Sequence, residues 1–286
     1  MSEIPVGFIG LGQIGGPMAT RLIDWPGGLT VCDAFPAATE SFAAKGVSVA
    51  ATPAEVAERS TVISVMVRDD AQVTEVLDGP NGILRTAKPD TVVAVHSTVE
   101  ADSPARFAAM AAEHGVLLLD APVSGGFMGA AEGTLAILIG GDERAVEIAR
   151  EPFGRMGTLI AHVGEMGAGT RAKLARNLIT FAAYAAVGDA LRLAEAAGVD
   201  INLLGQVVRH TDKITGGPGS IIVRPTAQPI PEGDGLLDIF THTRELGEKD
   251  LTLALGLGAD LGVDLPVATV GLDRLAIALG VPHSGS

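Results

Sequence analysis

The sequence predicts an α/β fold: a doubly wound parallel sheet in the first half, then an all-α C-terminal domain, with a long interdomain helix at the junction. Three observations carry this expectation. Short apolar runs alternate with amphipathic stretches up to about Gly164, the strand signals then stop, and a glycine-rich turn follows the first apolar run.

Val6–Ile9, Leu29–Cys32, Val62–Met66, Thr91–Val95, Val116–Leu119 and Leu135–Ile139 read as strands. They are continuous apolar runs rather than alternating ones, as strands buried on both faces of a parallel sheet should be. Pro53–Arg59, Ala71–Leu77 and Ser103–His114 read as the intervening helices. Asp142 is placed to cap a helix through Ala149, and Thr158–Val163 adds a further short run. From Gly167 to Ala197 Leu174, Leu178, Phe181, Tyr184, Leu191 and Ala194 recur at helical spacing. These 31 residues would span roughly 45 Å as one helix. Asp200 caps another helix through about Arg209, and Thr215–Gly235, with five Gly and four Pro, reads as a loop. Two helices follow, Thr243–Leu261 and Pro266–Leu279. The expected domains are residues 1–164, binding a dinucleotide, and 165–286, all-helical, for substrate and dimerisation.

Composition narrows the function classes. The formal charge of −14 disfavours nucleic acid and anionic membrane surfaces as partners. Aromatic residues make up only 3%, so the core is built from Ala, Val, Leu and Ile. Cys32 is the one cysteine, so no internal disulfide forms, and it reads as a packed thiol. The six His show no metal-ligand spacing, and no metal is expected. No basic leader precedes the first apolar strand, and no apolar run is long enough to span a bilayer; the expected location is the cytoplasm.

Gly10-Leu11-Gly12-Gln13-Ile14-Gly15 follows the first strand and opens a helix. Gly10 allows the tight turn, Gly12 lets a pyrophosphate approach the backbone, and Gly15 lets helix and strand pack closely. The second strand ends at Asp33, 18 residues after Gly15, where an acid accepts from ribose hydroxyls and repels a 2′-phosphate. This pattern predicts a Rossmann-type domain and NAD as the cofactor.

Other segments leave two readings each. Ser124-Gly125-Gly126, in the Asp120–Gly126 stretch that follows the run ending at Leu119, is either a small anion-binding nest or an ordinary glycine turn. Thr98 either borders the nicotinamide or caps a helix. Met66-Val67-Arg68 closes a strand, where Arg68 meets phosphate or pairs with Asp69. Lys173 and Asn177 share a helical face; Lys173 is either a desolvated general base or a surface lysine whose stem lies on apolar neighbours. Lys249 either reaches the cofactor or pairs with Glu245 one turn earlier.

Taken in order, Gly10–Leu22, Ser97-Thr98-Val99, Asp120–Gly126, Gly167–Asn177 and Lys249–Leu255 resemble the motifs of the β-hydroxyacid dehydrogenases along nearly the whole chain. That family includes 3-hydroxyisobutyrate dehydrogenase, and its helical domain is similar to that of 6-phosphogluconate dehydrogenase. The resemblance implies that Lys173 is the catalytic lysine and that Asn177 helps to hold the substrate. It implies further that Ser124, Gly125 and Gly126 bind a small substrate carboxylate, and that Thr98 and Lys249 border the cofactor. The apolar surface of the Gly167–Ala197 helix exceeds what a helical domain of about 120 residues can cover, so a homodimer or homotetramer is expected. The expected reaction is NAD-dependent oxidation of a short β-hydroxy acid to its semialdehyde, or the reverse. The alternatives are reduction of tartronate or succinate semialdehyde or of glyoxylate, and a non-catalytic NAD-binding scaffold, against which retention of Lys173 argues. Val67-Arg68, His96 and the Thr215–Gly235 segment depart from the family pattern.

Overall fold

A computed structural model of the chain describes residues 4–283. Among the described residues nine strands form one sheet: β1 (Val6–Ile9), β2 (Leu29–Cys32), β3 (Ser48–Val49), β4 (Val62–Val65), β5 (Val92–Val95), β6 (Leu117–Asp120), β7 (Val123–Ser124), β8 (Leu135–Gly141) and β9 (Gly157–Gly164). The order is β3-β2-β1-β4-β5-β6-β8-β7, with β9 also paired to β8. The strands from β3 to β6 are parallel, and the order reverses at β1, which makes the sheet doubly wound as expected. The far edge departs from a purely parallel sheet. β8 runs antiparallel to both β6 and β7, and β9 runs parallel to β8. The sequence shows an apolar run at β8 but not its direction, which depends on how the short segment at Val123–Ser124 turns back.

Seven helices accompany this sheet: α1 (Gly15–Thr20), α2 (Glu40–Ala43), α3 (Pro53–Arg59), α4 (Asp70–Asp78), α5 (Ser103–Ala112), α6 (Gly126–Glu132) and α7 (Glu143–Met156). Alternate strand residues serve opposite faces. Val6, Phe8, Val92 and Ala94 join Met18, Leu22, Val146 and Phe153 in one core. Ile9, Ile63, Val65, Val93 and Val95 join Val56, Leu77 and Phe107 in the other. Asp142 caps α7 as expected, accepting from the N–H groups of Arg144 and Ala145.

The remaining helices are α8 (Ala168–Ala196), α9 (Ile201–Thr215), α10 (Gly235–Leu261) and α11 (Pro266–Leu279). The chain divides into two compact units after Arg176, within α8, so the first turns of that helix belong to the sheet unit rather than to the all-helical one. In the second unit α10 packs on α11, and a small core gathers Ile230, Phe240, Leu279 and Val281. Asp189 is buried and accepts from the N–H groups of Val267 and Ala268, capping α11 from another helix. Asp200 caps α9. Helix α10 begins eight residues before the expected Thr243, because Asp234 caps it at Leu236. The Gly/Pro-rich segment therefore shortens to a linker containing one tight turn at Gly217–Ile221. Among the described residues no helix is long and apolar enough to cross a membrane, and no three His, Cys, Asp or Glu side chains gather as metal ligands.

Candidate active site

The glycine turn stands between β1 and α1, as the spacing requires. Gly10 has φ +91°, and a Cβ there would collide with the Met66 carbonyl, so only glycine fits. Gly15 backs onto the Gly10 carbonyl just as closely. Gly12 differs: nothing lies within 4 Å of the place a Cβ would occupy. A cavity of about 800 Å³ opens there, lined by Gly10, Gly12, Gln13, Ile14, Gly15, Asp33, Met66, Val67 and Arg68 among others. A bare backbone facing open space at the start of a helix suits the close approach of a pyrophosphate, so these residues fit a dinucleotide.

Asp33 lines the same cavity. One carboxylate oxygen accepts from the Leu11 N–H at 2.6 Å and the other from the Phe35 N–H at 2.8 Å. The acid thus ties the end of β2 to the glycine turn. Cys32, just before it, is buried, and burial with the neighbouring Asp33 and Glu55 charges pushes its thiol up to about 11. It is a packed, inert thiol. Val67 is fixed by Ser97, whose Oγ accepts from the Val67 N–H and donates to the Val67 carbonyl. Arg68 is largely exposed and pairs with Asp69 at 3.0 Å while lining the cavity. Phe35, Gln72 and Asn81 also line it and escaped the sequence reading. No short motif marks them; they meet only because the segment after β2, the first turn of α4 and the segment after α4 converge on one cavity.

Thr98 lies exposed beyond β5 and is not a helix cap, because Asp102 stands at the N-cap of α5. Beside it, His96 is fully enclosed. Its Nδ1 lies 2.7 Å from the Ala121 carbonyl and its Nε2 3.0 Å from the Ser64 hydroxyl. The ring stacks on Phe8 and meets the edge of Phe153. Burial pushes its pKa down to about 4, so the imidazole is neutral. With both nitrogens engaged it has no free site for a substrate proton, which removes the one histidine near the motifs as a competing base.

Ser124 is half-buried at the end of β7. Gly125 and Gly126 follow with φ +134° and +62°, a backbone that side chains resist. Lys173 stands in the second turn of α8. It is 9% exposed, and burial, reinforced by the Arg176 charge, lowers its pKa below the ordinary lysine value. A snorkelling surface lysine would show the opposite exposure. Asn177 is half-buried one turn further along the same helix. Lys249, in α10, is exposed and pairs with Asp250 at 3.0 Å. The expected Glu245 partner is taken instead by Arg244 at 3.2 Å.

The family model for the NAD binding domain of 6-phosphogluconate dehydrogenase matches residues 5–196. An uncharacterized oxidoreductase of Mycobacterium tuberculosis (strain ATCC 25618 / H37Rv) is 51% identical over 278 residues, covering 97% of this chain and 94% of its own. The mitochondrial 3-hydroxyisobutyrate dehydrogenase of Rattus norvegicus is 32% identical over 260 residues, covering 91% of this chain and 76% of its own. A solved structure of Mycobacterium tuberculosis 3-hydroxyisobutyrate dehydrogenase with L-serine is 30% identical, with a TM-score of 0.67 over 96% of this chain and 92% of that one. The chain is therefore an NAD-binding oxidoreductase that belongs to the β-hydroxyacid dehydrogenase family, with 3-hydroxyisobutyrate dehydrogenases among its relatives.

Proposed function

We propose that the chain oxidises a short β-hydroxy acid, 3-hydroxyisobutyrate or a close analogue, to its semialdehyde with NAD, or runs the reverse reduction, and that Lys173 carries the proton. The observation that carries this reading is the burial of Lys173 at the start of α8, which favours the neutral amine. The named relatives supply the substrate class.

Bound NAD supplies the hydride acceptor. As the carbonyl forms, the Lys173 amine takes the hydroxyl proton; in the reduction the ammonium returns it to the forming alkoxide. Ser124 donates a hydroxyl and Gly125 and Gly126 donate backbone N–H groups to the substrate carboxylate. Asn177 orients the substrate without titrating. Thr98 and Lys249 border the cofactor in this reading. The chain works as a homodimer or larger homo-oligomer in the cytoplasm. Leu178, Phe181 and Tyr184 on α8 and Leu203, Val207 and Ile214 on α9 are exposed apolar side chains that a second copy would cover.

The test is NADH production across a panel of 3-hydroxyisobutyrate, L-serine, 3-hydroxypropionate, glycerate and 4-hydroxybutyrate, with NADH oxidation by glyoxylate and by tartronate and succinate semialdehydes. Turnover confined to neutral alcohols or sugar phosphates would refute the substrate class. NAD binding without turnover of any of them would favour a scaffold.

A further inference from the structure

We propose that Asp120 is the positioning residue of Lys173: its buried carboxylate closes the first turn of α8 and fixes where the lysine leaves the helix. The inference rests on the reading of Lys173 as proton carrier.

Asp120 ends β6 and is 1% exposed. One of its carboxylate oxygens accepts from the Gly167 N–H at 2.7 Å, the other from the Thr170 N–H at 2.6 Å. These donors belong to the turn of chain that a helix start leaves without internal partners. A helix usually meets that need with a Ser, Thr, Asp or Asn just before it. Here Gly164-Glu165-Met166-Gly167 precede Ala168 and offer no such residue at the cap position. The cap comes instead from a strand 47 and 50 residues upstream.

The surroundings are shaped around this contact. A Cβ on Gly140 would overlap the Asp120 carboxylate. A Cβ on Gly169 would stand 2.6 Å from the Asp120 carbonyl and 3.0 Å from a carboxylate oxygen. The approach of helix to strand thus depends on two glycines that the cofactor motif does not explain. Next door, the His96 ring holds the Ala121 carbonyl, so the residue after Asp120 is also fixed.

Thr170 and Lys173 are three apart on α8 and share one face, and both are buried. Helical side chains lean back toward the N-terminus, so the Lys173 stem leans toward the capped end. The charged and titratable groups on the elements at this helix start are Asp120 on β6, His96 after β5, His162 on β9, Glu165 before the helix, and Arg171 and Arg176 on it. His96 is neutral and Arg176 disfavours the ammonium. Burial pushes the Asp120 carboxyl above the ordinary carboxylate value, and the N–H groups of Thr170 and Gly167 offset part of that push.

The test is pH-dependent acetic anhydride labelling of the full-length protein, with Lys173 followed by peptide mass spectrometry. In Asp120→Asn the Lys173 labelling midpoint should move upward toward the ordinary lysine value, because one of the two N–H groups loses its acceptor, the helix start loosens, and the burial that depresses the lysine is relieved. With 3-hydroxyisobutyrate and NAD, kcat should fall by roughly 10²-fold, the loss a displacement of about 1 Å brings, while NADH affinity stays unchanged. Asp189→Asn, which removes the comparable buried cap on α11, should lower Tm but leave the Lys173 midpoint in place. If Asp120→Asn does not fold, Asp120→Ser, a smaller neutral cap, carries the same measurement. An unmoved Lys173 midpoint in a folded variant, or an equal movement in Asp189→Asn, overturns the proposal. Near-normal turnover by Lys173→Ala would overturn the lysine reading itself, an outcome the labelling result does not depend on.

Discussion

Gly10 and Gly12 belong to one six-residue turn, yet the structure assigns them different duties, and alanine at each should separate folding from cofactor binding. Gly10 has φ +91°, and its added methyl would strike the Met66 carbonyl. The backbone conformation alone costs a non-glycine residue about 1–2 kcal/mol. With the collision the total reaches about 3 kcal/mol, a loss of roughly 6–12 °C in Tm for a unit of this size. Gly12 has no such φ, and nothing stands within 4 Å of the added methyl. Gly12→Ala should therefore keep Tm within about 2 °C of wild type, and the reduced freedom of the unfolded chain would offset any small loss. The same methyl occupies the place where a pyrophosphate must approach the backbone. Losing one charge-assisted N–H contact costs about 1.5–3 kcal/mol, or about 10–100-fold in NADH affinity. Fluorescence titration with NADH and thermal unfolding of both variants read the two effects. Wild-type NADH affinity in Gly12→Ala would refute the placement of the pyrophosphate. A wild-type Tm in Gly10→Ala would refute the account of the turn.

Four further outcomes are expected. NAD should exceed NADP in kcat/KM, and Asp33→Asn, which keeps an acceptor for the Leu11 N–H, should narrow the ratio by about tenfold, or 1.4 kcal/mol; a wild-type preference for NADP would mean that the Asp33 carboxylate does not face the 2′ position. Lys173→Ala and Lys173→Arg should each lose about 10²–10⁴-fold in kcat with NADH affinity kept, since a guanidinium cannot surrender its proton; turnover near wild type in either variant rules the mechanism out. His96 is neutral when folded, with a pKa depressed to about 4 from 6.5, so only the unfolded chain takes up its proton between those values. Stability should then fall by about 3 kcal/mol as pH drops through that window, and urea midpoints for wild type and His96→Asn should converge toward pH 4; parallel pH dependences would exclude His96 as the source. Light scattering should report at least a dimer at micromolar concentration, and a stable monomer would leave the apolar faces of α8 and α9 unexplained.

Local chemistry made much of this protein legible in its sequence. Strand runs such as Val6–Ile9 and Leu29–Cys32 declare themselves because burial on both faces demands unbroken apolar residues. Gly10, Gly12, Gly15 and Asp33 are readable because a helix start, a close backbone approach and a strand end lie at fixed spacing. The caps at Asp142 and Asp200 follow the same local rule. What needed the tertiary structure were contacts between segments far apart in the chain. The direction of β8 depends on its pairing with β6 and β7. Gly140 and Gly169 carry no signal in isolation, and their necessity appears only where a distant carboxylate presses against them. Asp120 sits in a readable motif, but its two N–H partners lie 47 and 50 residues away. The sequence likewise left Lys173 open between a surface lysine and a buried base. Burial is a sum over neighbours from several elements, and helical spacing reports only the face a residue is on, not what covers that face.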